Sequence, residues 1–239
     1  MQTSEYRNIS KLENKHFWYR ANREFSLALI DCFLPAKKPL SVLDIGCGPA
    51  GTTASLKKYG PVTAVDVSPI ALKLARRHSL HRLILADVNK LPFKNKSFDL
   101  ITSFDVLYHR GVEMPTALSE IHRVLRHKGI FLLRVPAFSW LEGSHDKIVH
   151  TARRFTADGL RKILNRSGFS ILRLTYFNLS LLPAVFLARK LKLNSKSDIF
   201  PVGEPLNSLL YLLLGLESKI AQHMNLPWGT SVYCLCTKP

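Results

Sequence analysis

Residues 42–53 read VLDIGCGPAGTT. An apolar run carries an acid, Asp44, and three glycines follow at positions 46, 48 and 51. Glycine directly after a strand allows a sharp turn and lets a ligand approach the main chain closely. Two kinds of ligand fit such a loop: a phosphate chain, or another nucleotide-like molecule. A phosphate-binding P-loop would end in Gly-Lys-Ser/Thr, and this loop does not. A dinucleotide fingerprint is closer, since Gly46, Gly48 and Gly51 match Gly-x-Gly-x-x-Gly. Asp44, however, would oppose a pyrophosphate. An acid there suits a ligand that carries an ammonium group.

Outward from this loop the chain alternates strands and helices. Phe17, Ala21, Phe25, Ala28 and Leu29 sit at helical spacing within residues 13–33. Strands are expected at 40–46, 62–68, 82–88, 98–107, 130–136, 169–177 and 230–238. Helices are expected at 50–58, from Ser68 (N-cap) and Pro69 onward, at 114–129 with Gly129 as C-cap, and at 156–167. This order implies an α/β fold, an open and mostly parallel sheet with helices on both faces. Ligands of such sheets sit at the carboxyl ends of the strands. One domain is expected over residues 1–239: a helical cap (1–38), a cofactor-binding core (39–176), a helical lid insertion (177–229) and a last strand (230–239).

Asp66 ends the second strand, about twenty residues past the first glycine, where an acid can accept from both hydroxyls of a ribose. Asp87 ends the third strand and can meet an adenine edge. An ammonium-bearing amino acid joined to an adenosine is S-adenosyl-L-methionine. The ordered set VLDIGCGPAG, VTAVDVSP, LILADVNKLPF, SFDLITSFDVLYH and IHRVLRHKGIFLLRVP, within residues 40–136, resembles the motifs of class I S-adenosylmethionine-dependent methyltransferases of the type 11 group. The resemblance implies a Rossmann-like seven-stranded sheet whose last strand is antiparallel and lies between the fifth and sixth. It implies that Asp44, Gly46 and Gly48, with Cys47 between them, line the methionine part of the cofactor. Asp66 and its neighbour Val67 take the ribose, Asp87 and Val88 flank the adenine, and Phe104 and Asp105 border the transfer site. S-adenosyl-L-homocysteine is the product. Ala50 departs from the family pattern, which often has glycine there, and is tolerable if residue 50 begins the helix. ENKHFWYRANR and SHDKIVHTARRFT resemble a bacterial subgroup of these enzymes.

Methyl transfer needs an in-line nucleophile and, for oxygen or carbon acceptors, a base. Histidine suits that task. His109, after the fourth strand, is a candidate base or substrate contact; packing or capping is its plainer role. His145, Asp146 and His150 follow the fifth strand. A His with an Asp suggests an oriented imidazole, and the alternative is a polar network tying the lid to Arg153 and Arg154. That arginine pair can hold a carboxylate or phosphate, or cap the helix that follows. Tyr108, Trp18 and Tyr19 are substrate-side candidates, with core packing the plainer role for Trp18. No metal site is read from these residues. The chain has no Asn-Pro-Pro-Tyr after the fourth strand and no Pro-Cys pair, which argues against the usual DNA-base methylations.

Hydrophobic residues make up 46% and charged residues 21% of the chain, as in globular proteins. Lys and Arg number 34 against 17 Asp and Glu, a net charge of +17. Such an excess attracts nucleic acid, anionic membranes or phosphorylated substrates, or is a solvated face. No RNA-binding motif accompanies it, so a nucleic-acid partner is not favoured. The N-terminus lacks signal-peptide features, and the four cysteines read as reduced thiols, so a cytoplasmic protein is expected. The apolar runs LLPAVFLA and LLYLLLGL are shorter than the roughly 20 residues a membrane span needs. Leu206, Leu209, Leu210, Leu213, Leu216, Ile220 and Met224 form a helical stripe. It reads as the inner face of a lid over an apolar acceptor pocket, or as an interfacial surface for lipid. Arg189, Lys190 and Lys192 follow the first apolar run, and Arg161, Lys162 and Arg166 share the helix after the arginine pair. The expected function is methyl transfer to a small, apolar or lipid-linked acceptor, with peripheral association with anionic membranes. An RNA methyltransferase, or a non-catalytic binding or assembly protein of this fold, is the alternative.

Overall fold

The computed structural model describes residues 1–34, 39–191 and 201–239. Its strands are β1 (Val42–Ile45), β2 (Val62–Asp66), β3 (Arg82–Leu85), β4 (Phe98–Phe104), β5 (Leu125–Pro136), β6 (Ser170–Phe177) and β7 (Ser231–Thr237). They form one sheet in the order β3-β2-β1-β4-β5-β7-β6. The pairs among β1 to β5 are parallel, and β7 runs antiparallel between β5 and β6. This is the expected Rossmann-like arrangement. Every residue of β1 and β2 is buried, as in a sheet covered by helices on both faces. The order reverses between β1 and β4, so the loops after these strands open on one crevice.

Local signals explain most helices. In α4 (Pro69–Ala75) the Ser68 hydroxyl accepts from the Ala71 N–H, and Pro69 sits at the first position. In α5 (Met114–Val124) the buried residues Met114, Ala117, Leu118, Ile121 and Val124 recur at 3.6-residue spacing. This helix stops at Val124, not at Gly129 as expected. Its last carbonyls need no glycine cap. The carbonyls of Arg123 and Val124 accept from the Lys96 and Ser97 N–H groups, and the Lys238 ammonium donates to those of His122 and Leu125. Leu125 is then free to pair with Phe98 in the sheet.

The helix expected over 13–33 is α2 (Phe17–Phe33). A further helix, α1 (Thr3–Leu12), precedes it in a stretch whose spacing gave no helical signal. The His16 ring accepts from the Trp18 N–H and caps α2. The helix expected at 156–167 is α7 (Ala157–Arg166), and the expected insertion contains α8 (Leu182–Lys190) and α9 (Glu204–His223). Residues 35–38 of the expected cap and 192–200 of the lid, with Lys192, lie outside the described residues.

Most of the stripe on α9 faces away from the cavity; of its members Leu206 and Leu210 reach the cavity wall. Leu206, Leu209, Leu213, Leu216, Ile220 and Met224 are exposed, Leu209 by 61%. The buried side carries Asn207, Leu214, Glu217, Ser218 and Ala221. The reason is backbone satisfaction: orphan N–H groups at helix starts and turns need acceptors. Asn207 takes the Phe17 N–H at 2.8 Å, and Glu217 takes those of Leu179 and Ser180 at 2.7 and 2.8 Å. Among the described residues no helix is long and apolar enough to cross a membrane.

Leu214, packed with Phe17 and Ala21, anchors this helix. Leu214→Ala is expected to cost about 2–5 kcal/mol by the cavity it leaves, whereas Leu209→Ala stays within about 0.5 kcal/mol. Urea unfolding of the two variants checks the orientation; equal losses would contradict it.

Candidate active site

The loop after β1 is built around two left-handed glycines. Gly46 has φ +74°, and a Cβ there would lie 2.1 Å from the Val106 side chain. Gly48 has φ +54°, and nothing stands within 4 Å of where its Cβ would be. Ala50 does not begin the helix. It is the N-cap of α3 (Gly51–Ser55) at φ 73°, a left-handed position that costs a non-glycine residue roughly 1–2 kcal/mol. The Gly51 N–H donates to the Glu13 carboxylate at 2.7 Å, and Arg77 pairs with the other Glu13 oxygen. Glu13 thus ties the turn between α1 and α2 to the glycine loop.

Asp44 is buried, and the hydroxyls of Thr53 and Thr102 donate to its two oxygens at 2.5 and 2.6 Å. Burial outweighs these bonds and pushes its pKa up to about 6. Asp66 accepts the N–H groups of Gly48 and Ser68, both at 2.9 Å. Burial raises its pKa as well, against the lowering effect of those bonds. Tyr6 of α1 lies against Asp66, and burial lifts its phenol to about 12. Asp87 stands two residues beyond the end of β3, not on the strand, and accepts the Asn89 N–H at 2.8 Å.

After β4, Asp105 adopts φ +59°. The buried Arg134 of β5 holds it through Nε and Nη2, and donates from Nη1 to the Tyr233 hydroxyl at 3.1 Å. The guanidinium also lies 4.7 Å from the Trp18 ring centre. Arg134 carried no sequence motif; a lone basic residue in an otherwise apolar strand, IFLLRVP, was the one available signal. His109 follows on the same loop. Burial lowers its pKa, and its Nδ1 is buried with no hydrogen-bond partner among the described residues.

The cluster after β5 assembles only in part. Asp146 and Arg154 form a buried ion pair, and Asp146 also accepts the Gly143 N–H at 2.7 Å, at the start of α6 (Ser144–Ile148). Burial works to raise the Asp146 pKa, but Arg154 prevails and holds it below the usual value. His150 is exposed, with φ +57°, and stands off the cavity. Arg153 is exposed too and, like its exposed neighbour Ala152, stands off the cavity. The carboxylate therefore supports Arg154 and a helix start, and His150 and Arg153 leave the candidate set.

The remaining candidates line one cavity of about 770 Å³. Asp44, Gly46, Cys47, Gly48, Asp66, Val67, Asp87, Val88, Phe104 and Asp105 all reach it. So do Trp18, Tyr19, Tyr108, His109, His145, Asp146 and Arg154. One wall gave no sequence signal: α1, with Glu5, Tyr6 and Ile9. The apolar wall is Leu181, Val185, Val202, Leu206 and Leu210, so two residues of the expected lid stripe do reach the pocket. The cavity thus has acids at the glycine loop and aliphatic side chains on the lid helices.

Comparison with known proteins agrees with this geometry. Residues 43–133 match the family described as "Methyltransferase domain". The chain is 37% identical over 99 residues to a malonyl-[acyl-carrier protein] O-methyltransferase of Salmonella typhimurium, covering 41% of this chain and 39% of that one. It is 34% identical over 102 residues to the human mitochondrial protein named arginine-hydroxylase NDUFAF5, covering 41% and 29%. The chain spans about two-fifths of the length of the first curated relatives it matches. Among solved structures it resembles a chain of the complex between the Haloferax volcanii Trm112 methyltransferase activator and a methyltransferase. That likeness has a TM-score of 0.64 at 18% identity and covers 99% of this chain and 94% of that one.

The Asp146–Arg154 pair yields a stability prediction. Asp146→Asn leaves a buried guanidinium unpaired and is expected to cost about 3–5 kcal/mol. His150→Ala should stay within about 0.5 kcal/mol. Thermal unfolding that ranks them the other way would contradict the arrangement.

Proposed function

We propose that this chain, which carries a class I S-adenosylmethionine-dependent methyltransferase domain, transfers a methyl group to a small, apolar or lipid-linked acceptor. The observation that carries the reading is the single cavity, polar at the glycine loop and aliphatic at the lid. The cofactor supplies an electrophilic methyl group on a sulfonium. The residues fit it: Gly48 leaves open space over the loop, and the Asp66 carboxylate, which accepts the Gly48 and Ser68 N–H groups and a bond from Tyr6, still has acceptor capacity for a ribose hydroxyl. Asp44 faces the ammonium end, and Asp87 and Val88 the adenine. Phe104 and Asp105 border the transfer site.

His109 is the base in this reading. It is neutral at ordinary pH because burial disfavours its charged form, against the favouring effect of backbone groups at Val149 and Asp105, so the ring is in the form that can take an acceptor proton. Tyr108, Trp18, Tyr19 and Arg154 bound the acceptor side, and His145 stands at the same wall. An oxygen acceptor is in keeping with the Salmonella relative's name. In this reading residues 1–239 work as one unit of cap, core, lid and last strand in the cytoplasm, at the surface of anionic membranes. The net charge of +17 also suits RNA, but no RNA-binding motif accompanies it, and the lid side of the cavity is aliphatic. A relative named as a hydroxylase favours a second reading, in which this domain serves chemistry other than methyl transfer.

Two measurements test the proposal. The free protein holds the Asp44 proton below about pH 6, and a cofactor ammonium favours the ionised form. Affinity for S-adenosylhomocysteine should therefore be level above about pH 7 and about tenfold weaker near pH 5. Calorimetry giving a flat profile would remove Asp44 from the ammonium site. For chemistry, His109→Gln should keep cofactor affinity and lose transfer about a hundredfold or more. The assay is methyl-labelled cofactor incubated with lipid and aqueous cell extracts. Label in RNA alone, or in no fraction, would overturn the proposal.

A further inference from the structure

We propose that the outward face of α9 seats the protein on an anionic lipid bilayer, with the aliphatic end of the cavity turned toward it. The inference rests on the lipid-linked acceptor reading and gives it a surface.

Leu206, Leu209, Leu213, Leu216 and Ile220 recur at spacings of three and four, which puts them on one side of a helix. All are exposed, from 40% at Leu213 to 61% at Leu209. The helix is 20 residues long, about 30 Å at 1.5 Å per residue. A continuous apolar face of that size on a soluble protein marks a contact surface. The stripe is continuous with the cavity, because Leu206 is exposed and also lines it. The neighbouring α8, which shares that cavity wall, exposes Phe186, Leu187 and Leu191. The Lys190 ammonium lies 5.6 Å from the Phe186 ring centre. A basic head beside an apolar ring is the composition of an interfacial segment.

Charge selects the occupant. Six acids are buried among the described residues: Glu5, Glu13, Asp44, Asp66, Asp146 and Glu217. Of the Lys and Arg side chains there, the guanidiniums of Arg134 and Arg154 are buried, each against one carboxylate. The outer surface is therefore more basic than the net +17 implies. At this face the exposed charges of α8 and α9 are Lys190 and Lys219 against one acid, Glu204, so a second copy would bring the same sign of charge to it. A bilayer of anionic lipid satisfies both features, with leucines at the acyl boundary and bases among the headgroups.

The test is co-sedimentation of the full chain with vesicles of phosphatidylcholine, alone or mixed with phosphatidylglycerol. The wild type should bind the mixed vesicles, less so as salt rises, and bind neutral vesicles weakly. The triple variant Leu209→Gln, Leu213→Gln, Leu216→Gln removes only exposed side chains. It should partition at least tenfold less, with unfolding midpoint and S-adenosylhomocysteine affinity unchanged. Undiminished binding by the variant, equal binding of the wild type to both vesicles, or binding to neither overturns the proposal. So does a wild-type dimer in light scattering that the variant converts to a monomer, which would make a second copy the occupant. Cofactor affinity in the same samples separates the two claims: a wild type that seats on vesicles but binds no S-adenosylhomocysteine upholds the seat and overturns the enzymatic reading.

Discussion

The Asp66 carboxylate accepts the Gly48 N–H, and together with the Val65 carbonyl, which accepts from Gly46 and Cys47, it joins the loop after β1 to the end of β2. The other Asp66 oxygen takes the Ser68 N–H at the start of α4. Two strand-to-helix turns are thereby fixed relative to one acid. The loop itself needs that support, since it carries three left-handed residues in five positions, Gly46, Gly48 and Ala50. A chain in that conformation returns little packing of its own, so its shape must be imposed from outside. Asp66 imposes it from one side and Glu13, through the Gly51 N–H, from another. The cavity exists because the loop is held clear of it.

A second buried charge network sets the opposite wall. Arg134 sits among the aromatic rings of Trp18, Phe104 and Tyr233. A buried guanidinium is tolerable only when its donors are used. Here Asp105 and the Tyr233 hydroxyl use them, and the Asn22 side chain in turn accepts from that hydroxyl at 2.9 Å. The strained backbone of Asp105 is explained in the same way: the ion pair offsets a conformation that the loop alone would avoid. The N-terminal helices and β7 thus meet the site through one arginine.

The parts of this structure that were legible in the sequence are those governed by local rules. The glycine loop, the Ser68–Pro69 helix start and the alternation of strands follow from propensity and spacing, and the sheet order follows from the family likeness. What was not legible depends on partners distant in sequence. No pattern in IFLLRVP shows that Arg134 will meet Asp105. No spacing shows that Asp146 will choose Arg154, because His145, His150 and Arg153 stand as near along the chain. The first helix escaped because its apolar content is low, with Tyr6 and Ile9 as its apolar-bodied cavity contacts beside Glu5. The end of α5 was misplaced because Lys238, more than a hundred residues away, does the work expected of a glycine.

The orientation of α9 shows the same limit and carries a consequence. Hydrophobic periodicity locates an apolar stripe but does not say which way it faces. Here the interior needs acceptors, for the start of α2 and for the turn after β6, and Asn207 and Glu217 supply them. Turning the leucines inward would bury apolar area but strand those N–H groups without partners, at about 1–3 kcal/mol each. Backbone satisfaction wins, and the leucines face out. Their outward position adds almost nothing to the core, since Leu214 alone on this helix is a fully buried large apolar side chain. The stability of the fold would be served as well by polar residues at these positions, and solubility would be served better. A row of leucines that the folded chain does not need for itself is therefore best understood through what lies outside the chain.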